Sequence, residues 1–221
     1  MKKDNSKIHW VFPGIFINKE IKTTLTLEKN DKGLKIKSSF NNVANDHRMR
    51  MLFATDIESD VHYADSIFEL AKRNNIVDGC WENPSNCQHQ QAFVNIHNKD
   101  YGLTVANKGL NEYELLNDGR NTIAVTLLRC VRELGDWGVF ETPDAQCIGY
   151  HEAELKIIPH GKNIYDSVKE AHMYQIPVIT KQVDIKNGEI NHENGLMNFD
   201  GYGIIWSTLK MGNDFNTIFR V

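Results

Sequence analysis

Asn45-Asp46-His47-Arg48 sets an acid, an imidazole and a guanidinium side by side just ahead of an apolar run. Planar donors and charged acceptors of this kind suit the hydroxyls of a sugar. The same residues also suit a plain loop, in which Asp46 caps backbone N–H groups and Arg48 pairs with a nearby carboxylate. Glu141-Thr142-Pro143-Asp144 brings two carboxylates close in sequence. Paired acids can share the work of glycoside hydrolysis, but around a proline a rigid turn is the simpler reading. His151, Glu152 and Glu154 lie in a β-forming run, which puts both glutamates on one face and His151 opposite, as an outward polar surface would. Cys80, Cys87 and His89 lack the short spacing and the second pair of a structural zinc site. The four cysteines read as free thiols in a reducing compartment. There is no Gly-x-Ser-x-Gly elbow and no glycine-rich phosphate cradle. Of the four tryptophans, Trp10, Trp81 and Trp206 read as core, and Trp137, between Gly135 and Gly138, as the exposed ring.

The elements that must carry these residues are mostly strands. Ile21–Leu27 and Leu34–Phe40 predict a hairpin across a turn rich in Asn, Asp and Gly. The second run alternates, with Leu34, Ile36 and Ser38 on one side and Lys35, Lys37 and Ser39 on the other. Further strands are predicted at Met49–Ala54, Ser66–Ala71, Ala92–Ile96, Leu103–Ala106, Tyr113–Leu116 and Glu152–Ile158, the last stopping at Pro159-His160-Gly161. Thr122–Arg129 is apolar on both faces, as a covered strand would be. One helix is predicted, opened by Gly161 or Asn163, with Ile164, Val168, Ala171 and His172 on its stripe and Pro177 as its stop. Ile204–Leu209 and Thr217–Val221 close the chain as a strand pair around Gly212-Asn213-Asp214. The expectation is one domain over residues 1–221, all-β with a single flanking helix.

Length and charge narrow the classes. At 221 residues the chain can bury a core without disulfides or metal staples. A net charge of −4 and the lack of a basic stripe interleaved with aromatics argue against nucleic acid as a partner. No run approaches the roughly 18 apolar residues that a membrane span needs. The N-terminal Ile8–Ile17 is broken by His9, Pro13 and Gly14 and makes a poor signal peptide. These features point to a soluble, cytoplasmic protein.

Several stretches, in order, carry a family resemblance. They are Thr24–Asn30, Phe40–Arg50 with its Asp46-His47-Arg48, Tyr63–Phe68, Gln90–Asn95, Tyr101–Glu114, and the region from Thr122 through Leu134-Gly135-Asp136-Trp137 and Glu141–Cys147 to Pro159-His160. Over roughly residues 20 to 210 the chain resembles the C-terminal β-domain of glycoside hydrolase family 38, the retaining α-mannosidases. The resemblance implies a galactose-mutarotase-like β-supersandwich, here incomplete. In the full enzyme it packs against an N-terminal (β/α) domain and a helical bundle. That N-terminal domain holds a divalent metal, usually zinc, and the aspartate nucleophile, for a retaining double displacement. None of those N-terminal motifs occurs here, so no catalytic residue and no metal ligand is expected in this chain. Some family members place a basic residue at the rim of the sugar site, just after the strand that corresponds to Ser66–Ala71. Lys72 or Arg73 is the implied counterpart, with Asp46, His47 and Arg48 as second choices.

The expected role is therefore a scaffold for the catalytic domain of an enzyme acting on an α-mannoside or related glycan, with a rim contact to the sugar. A free-standing carbohydrate-binding module is the rival. A third reading is an inactive gene remnant, suggested by the abrupt end at Val221. The chain is also expected to self-associate through the face that would meet the catalytic domain.

Overall fold

Thr122–Arg129 is buried almost throughout, because Ile123 and Val125 enter the main core while Ala124 and Thr126 are covered from the opposite face. Around this strand the computed structural model of the chain describes residues 21–77, 79, 85–135, 140–176, 179–182, 184, 208–214 and 216–220. All four tryptophans, Cys80, Ile8–Ile17, residues 204–207 and Val221 lie outside the described residues, so the expectations placed on them stay untouched.

The strands are β1 (Ile21–Thr26), β2 (Leu34–Asn42), β3 (Arg48–Phe53), β4 (Val61–Ser66), β5 (Glu69–Asn74), β6 (Cys87–His89), β7 (Phe93–His97), β8 (Tyr101–Asn107), β9 (Glu112–Leu116) and β10 (Thr122–Arg129). A short pair follows, β11 (Glu133–Leu134) and β12 (Phe140–Glu141), then a 3-10 turn at Pro143–Gln146, the long β13 (Gly149–Gly161) and the helix α1 (Tyr165–Gln175). Seven strands form one antiparallel sheet in the order β1-β2-β13-β8-β7-β4-β5, and four form a second in the order β3-β10-β9-β6.

The two sheets bury one core between them. Ile36, Ala64, Val94, Ile96, Val105 and Leu155 from the larger sheet meet Tyr113, Leu115, Ile123 and Val125 from the smaller. Each fully buried aliphatic side chain contributes about 1.5–3 kcal/mol of burial free energy. A register shift in β10 between Thr126 and Leu128 sends Leu128 into a second cluster with Ile21, Phe40 and Cys130. The all-β expectation with one flanking helix holds.

Alternation works as the sequence predicts in β2 and β13. Ile36 and Leu155 enter the core, while Lys37 reaches Glu152 at 2.8 Å and Glu154 at 3.8 Å on the outer face. Pro159 does not end β13, which continues to Gly161. Beyond Ile157 that strand pairs, among the described residues, with β8 alone, so the missing proline N–H disrupts no second ladder there.

Helix α1 lies on the outer face of the larger sheet, against β8 and β13. It opens beside Asn163, whose side-chain oxygen accepts the Tyr165 N–H at 3.1 Å, and it buries Ser167, Val168 and Ala171. Beneath it Lys156, buried, donates to Asp31 at 2.6 Å and Glu170 at 3.2 Å. No helix among the described residues is long and apolar enough to cross a membrane.

The chain divides into two compact units, Met1–Ile176 and Pro177–Val221. The second contains an antiparallel pair, β14 (Thr208–Met211) and β15 (Thr217–Arg220), closed by a Gly212 N–H to Asn216 C=O bond of 2.7 Å. The described part of the expected final strand pair is therefore present.

Candidate functional site

Ser66–Ala71, expected as a single strand, is instead the turn of a hairpin. β4 and β5 pair from Val61↔Asn74 to Ser66↔Glu69, leaving Ile67 and Phe68 as the loop. Phe68 takes a left-handed φ of 63° and is 78% exposed. Neither residue is a usual turn former, which is why the sequence hides this reversal. The correction places Lys72 and Arg73 inside β5 rather than beyond a strand.

Their adjacency puts them on opposite faces. Lys72 pairs across the ladder with Tyr63, whose ring stacks on His97 on the outer side, and Lys72 itself is exposed. Arg73 pairs with His62, which is fully buried on the inner side. The Arg73 guanidinium donates from one nitrogen to the His89 carbonyl at 2.7 Å and to the Tyr113 hydroxyl at 2.9 Å. β5 and β6 are edge strands of the two different sheets, so Arg73 clasps the sandwich across its open side.

Behind Arg73 runs a directed chain of hydrogen bonds. The Tyr113 hydroxyl donates to His62 Nε2 at 2.7 Å, and His62 Nδ1 donates to Asn75 Oδ1 at 2.9 Å. Asn75 in turn donates to the Ser59 carbonyl at 2.6 Å and to Asn121 Oδ1 at 3.1 Å. Burial, with the Arg73 charge beside it, holds His62 below the ordinary imidazole value. Burial also raises the Tyr113 phenol, against the pull of Arg73. Both rings are therefore neutral at pH 7, and the assignment of donors along the chain is consistent. On the other side of the guanidinium, the His89 ring lies 3.4 Å from Nη2 and 3.1 Å from Ser66 Oγ.

Asp46, His47 and Arg48 do not converge. Asp46 sits in a left-handed turn, φ 51°, and exchanges two hydrogen bonds with Gln146 at 2.7 and 2.8 Å. The His47 carbonyl accepts the Cys130 N–H at 2.8 Å. Arg48 turns onto the outer face of the smaller sheet and meets Glu112 at 2.9 Å, Glu114 at 3.2 Å and Thr126 at 2.9 Å. Arg50 adds 2.6 Å to Glu114 and Arg129 adds 2.6 Å to Glu112. Burial raises the Glu112 carboxyl, but Thr126, Arg129 and Arg48 together pull it below the usual range. The carboxylate pairing of the plain-loop reading describes Arg48, whereas the Asp46 carboxylate accepts the Gln146 side-chain amide rather than backbone N–H groups, and Arg48 opens β3.

The structure does bring Asp46 and Glu141 together, with Asn45 and Arg132, around an open cleft of about 480 Å³. A second cleft of about 670 Å³ runs beside β6, bordered by Cys87, His89, Glu112 and Arg129. Glu141 and Asp144 are exposed, and the Asp144 carbonyl closes the 3-10 turn by accepting the Cys147 N–H at 3.2 Å.

Comparison with known proteins decides the family. The family described as glycosyl hydrolases family 38 C-terminal domain matches residues 4–145. The chain belongs to that family. A putative mannosylglycerate hydrolase of Halalkalibacterium halodurans is 43% identical over 192 residues, covering 86% of this chain and 21% of the relative. The crystal structure of an alpha-mannosidase from Enterococcus faecalis superposes with a TM-score of 0.70 at 46% identity, over 74% of this chain and 19% of that one. A second family 38 structure from Enterococcus faecalis gives a TM-score of 0.70 at 43% identity, over 78% and 20%. This family 38 chain thus spans about a fifth of the length of the relatives it matches.

Family 38 implies a divalent metal, and the residues described here do not fit one. Among the described residues no three His, Cys, Asp or Glu side chains group as a cation would need. His89 is engaged by Ser66 and Arg73, and the Cys87 thiol faces Glu114 at 3.5 Å. Sequence reasoning named Arg73 and missed its supporting shell of His62, Asn75, His89 and Tyr113. Those residues come from separate strands and loops, and only the sheet register makes them neighbours.

Proposed function

We propose that this family 38 domain scaffolds the catalytic part of a retaining glycosidase acting on an α-mannoside, and that it lends Arg73 to the rim of the sugar site. In this reading the aspartate nucleophile and a zinc-type divalent ion belong to the catalytic part, and this chain performs no bond cleavage. The observation that carries the rim role is the fixation of Arg73. Its guanidinium is aimed by Tyr113 and by the His89 carbonyl, so little rotamer entropy remains to be lost when it meets a ligand. Lys72, on the other face and exposed, has no such support among the described residues.

The test is a chimera in which this chain replaces the matching segment of the Enterococcus faecalis alpha-mannosidase. A hydrogen bond from a charged group is worth about 1.5–3 kcal/mol, so Arg73→Gln should lower kcat/KM roughly 10- to 100-fold. Lys72→Gln should leave it near the parent value. An Arg73→Gln chimera that is folded and fully active removes Arg73 from the rim.

A further inference from the structure

The described partners of Arg73 share one property: none is a carboxylate. They are a backbone carbonyl, a phenol and an imidazole, and the guanidinium also lies 5.8 Å from the centre of the Tyr113 ring. Among the described residues no carboxylate pairs with it, whereas Arg48, Arg50, Arg120, Arg129 and Lys156 all have one. A half-buried cation with no counter-ion among the described residues leaves favourable electrostatic energy unused. Two donor positions also remain. Nε–H has no partner among the described residues, and Nη2 has the His89 ring alone, at 3.4 Å or more.

We propose that Arg73, with His89 and Ser66 beside it, is a carboxylate-binding site that recognises an acidic group on a small-molecule ligand. Nε–H and Nη2–H form the planar fork that matches two carboxylate oxygens. The Ser66 hydroxyl, 3.1 Å from the imidazole, can turn to donate to the same group. The charge balance favours a monoanion over a phosphate dianion, because Lys72, the adjacent cation in sequence, points to the other face. Tyr113 and His62 act as positioning residues. The phenol accepts from Nη1 and donates its own proton to His62, so the guanidinium is held from behind, with Nη2 beside the His89 ring. The inference deepens the rim reading by naming what Arg73 would recognise: an acidic substituent rather than a neutral hydroxyl.

The purified chain provides the test, with the Arg73 Nε–H signal followed by NMR during titration with sodium acetate and sodium lactate. Sodium chloride at equal ionic strength and methyl α-mannoside serve as comparisons. The expected result is a saturable shift with both carboxylates and none with the two comparison solutes. Arg73→Lys, which keeps the charge but loses the fork, should bind at least tenfold more weakly. Tyr113→Phe should weaken binding several-fold while the sheet amide signals stay in place. A shift no larger than that of chloride overturns the proposal, as does undiminished acetate binding in Arg73→Lys. The rim reading is judged separately, by turnover of the chimera. A chain that ignores acetate while its Arg73→Gln chimera loses turnover sinks the carboxylate site and spares the rim. The opposite pair of results sinks the rim alone.

Discussion

Replacing Lys156 by Met probes how the helix is held to the sandwich. Lys156 is 5% exposed at its side chain, Asp31 10% and Glu170 21%, so this triad is screened far less than a surface pair. Methionine keeps most of the aliphatic stem but leaves two carboxylates without their shared cation. Removing one partner of a buried pair costs about 3–5 kcal/mol. Asp31 keeps Lys35 at 3.3 Å and the Gly33 N–H at 3.2 Å, and Glu170 is partly wet, so the lower end applies, about 3 kcal/mol. For a domain of this size that corresponds to a fall in Tm of about 6–12 °C.

The pH dependence separates this cause from lost packing. Burial pushes the Asp31 carboxyl up, but hydrogen bonds from Lys156, Gly33 and Lys35 outweigh it and hold the group below its ordinary value. A carboxyl depressed in the folded state adds stability above its unfolded value, and that stability disappears as pH falls through the folded value. Lys156→Met forfeits this contribution, so urea unfolding should show the full deficit at neutral pH and a shrinking one below about pH 4. A deficit under about 1 kcal/mol at neutral pH, or one that stays constant into acid, would refute the electrostatic account.

Three further expectations use other parts of the fold. Tyr113→Phe leaves buried His62 Nε2 without its donor and removes one Arg73 acceptor, so it should cost about 1–3 kcal/mol in urea unfolding; a neutral result breaks the hydrogen-bond chain described here. Gly102 lies between His97 and His160, and an added Cβ would press on the His97 Cβ and the His160 ring. Gly102→Ala should therefore cost about 1–3 kcal/mol, measured the same way, and an unchanged midpoint would show that the two rings yield freely. His62, His97 and His160 are each held below the ordinary value of 6.5, chiefly by burial. The unfolded chain then binds protons first, so stability should decline as pH falls below about 6.5, and a urea midpoint that rises over that interval contradicts the assignment.

Much of the sandwich is legible in the sequence, because its strands alternate or run continuously apolar. The Leu34–Phe40 alternation and the uninterrupted Thr122–Arg129 run each translate directly into observed burial. The β4–β5 hairpin is not legible, since its loop is Ile67-Phe68 and carries none of the residues that usually mark a reversal. The site divides in the same way. Asp46, His47 and Arg48 are neighbours in sequence, yet a left-handed turn at Asp46 and the start of β3 send them to different partners. Tyr113, His62, Asn75 and Arg73 are 13 residues or more apart where they bond across strands, and only the ladder register joins them. Periodicity reads which face a residue occupies. It does not read which residue stands opposite.

The scaffolding role is tested most directly by hydrolysis of an aryl α-mannoside, with zinc added, by the purified chain and by its chimera with the Enterococcus faecalis alpha-mannosidase. The account predicts no turnover from the chain and turnover from the chimera. Hydrolysis by the chain alone at an enzymatic rate would contradict it.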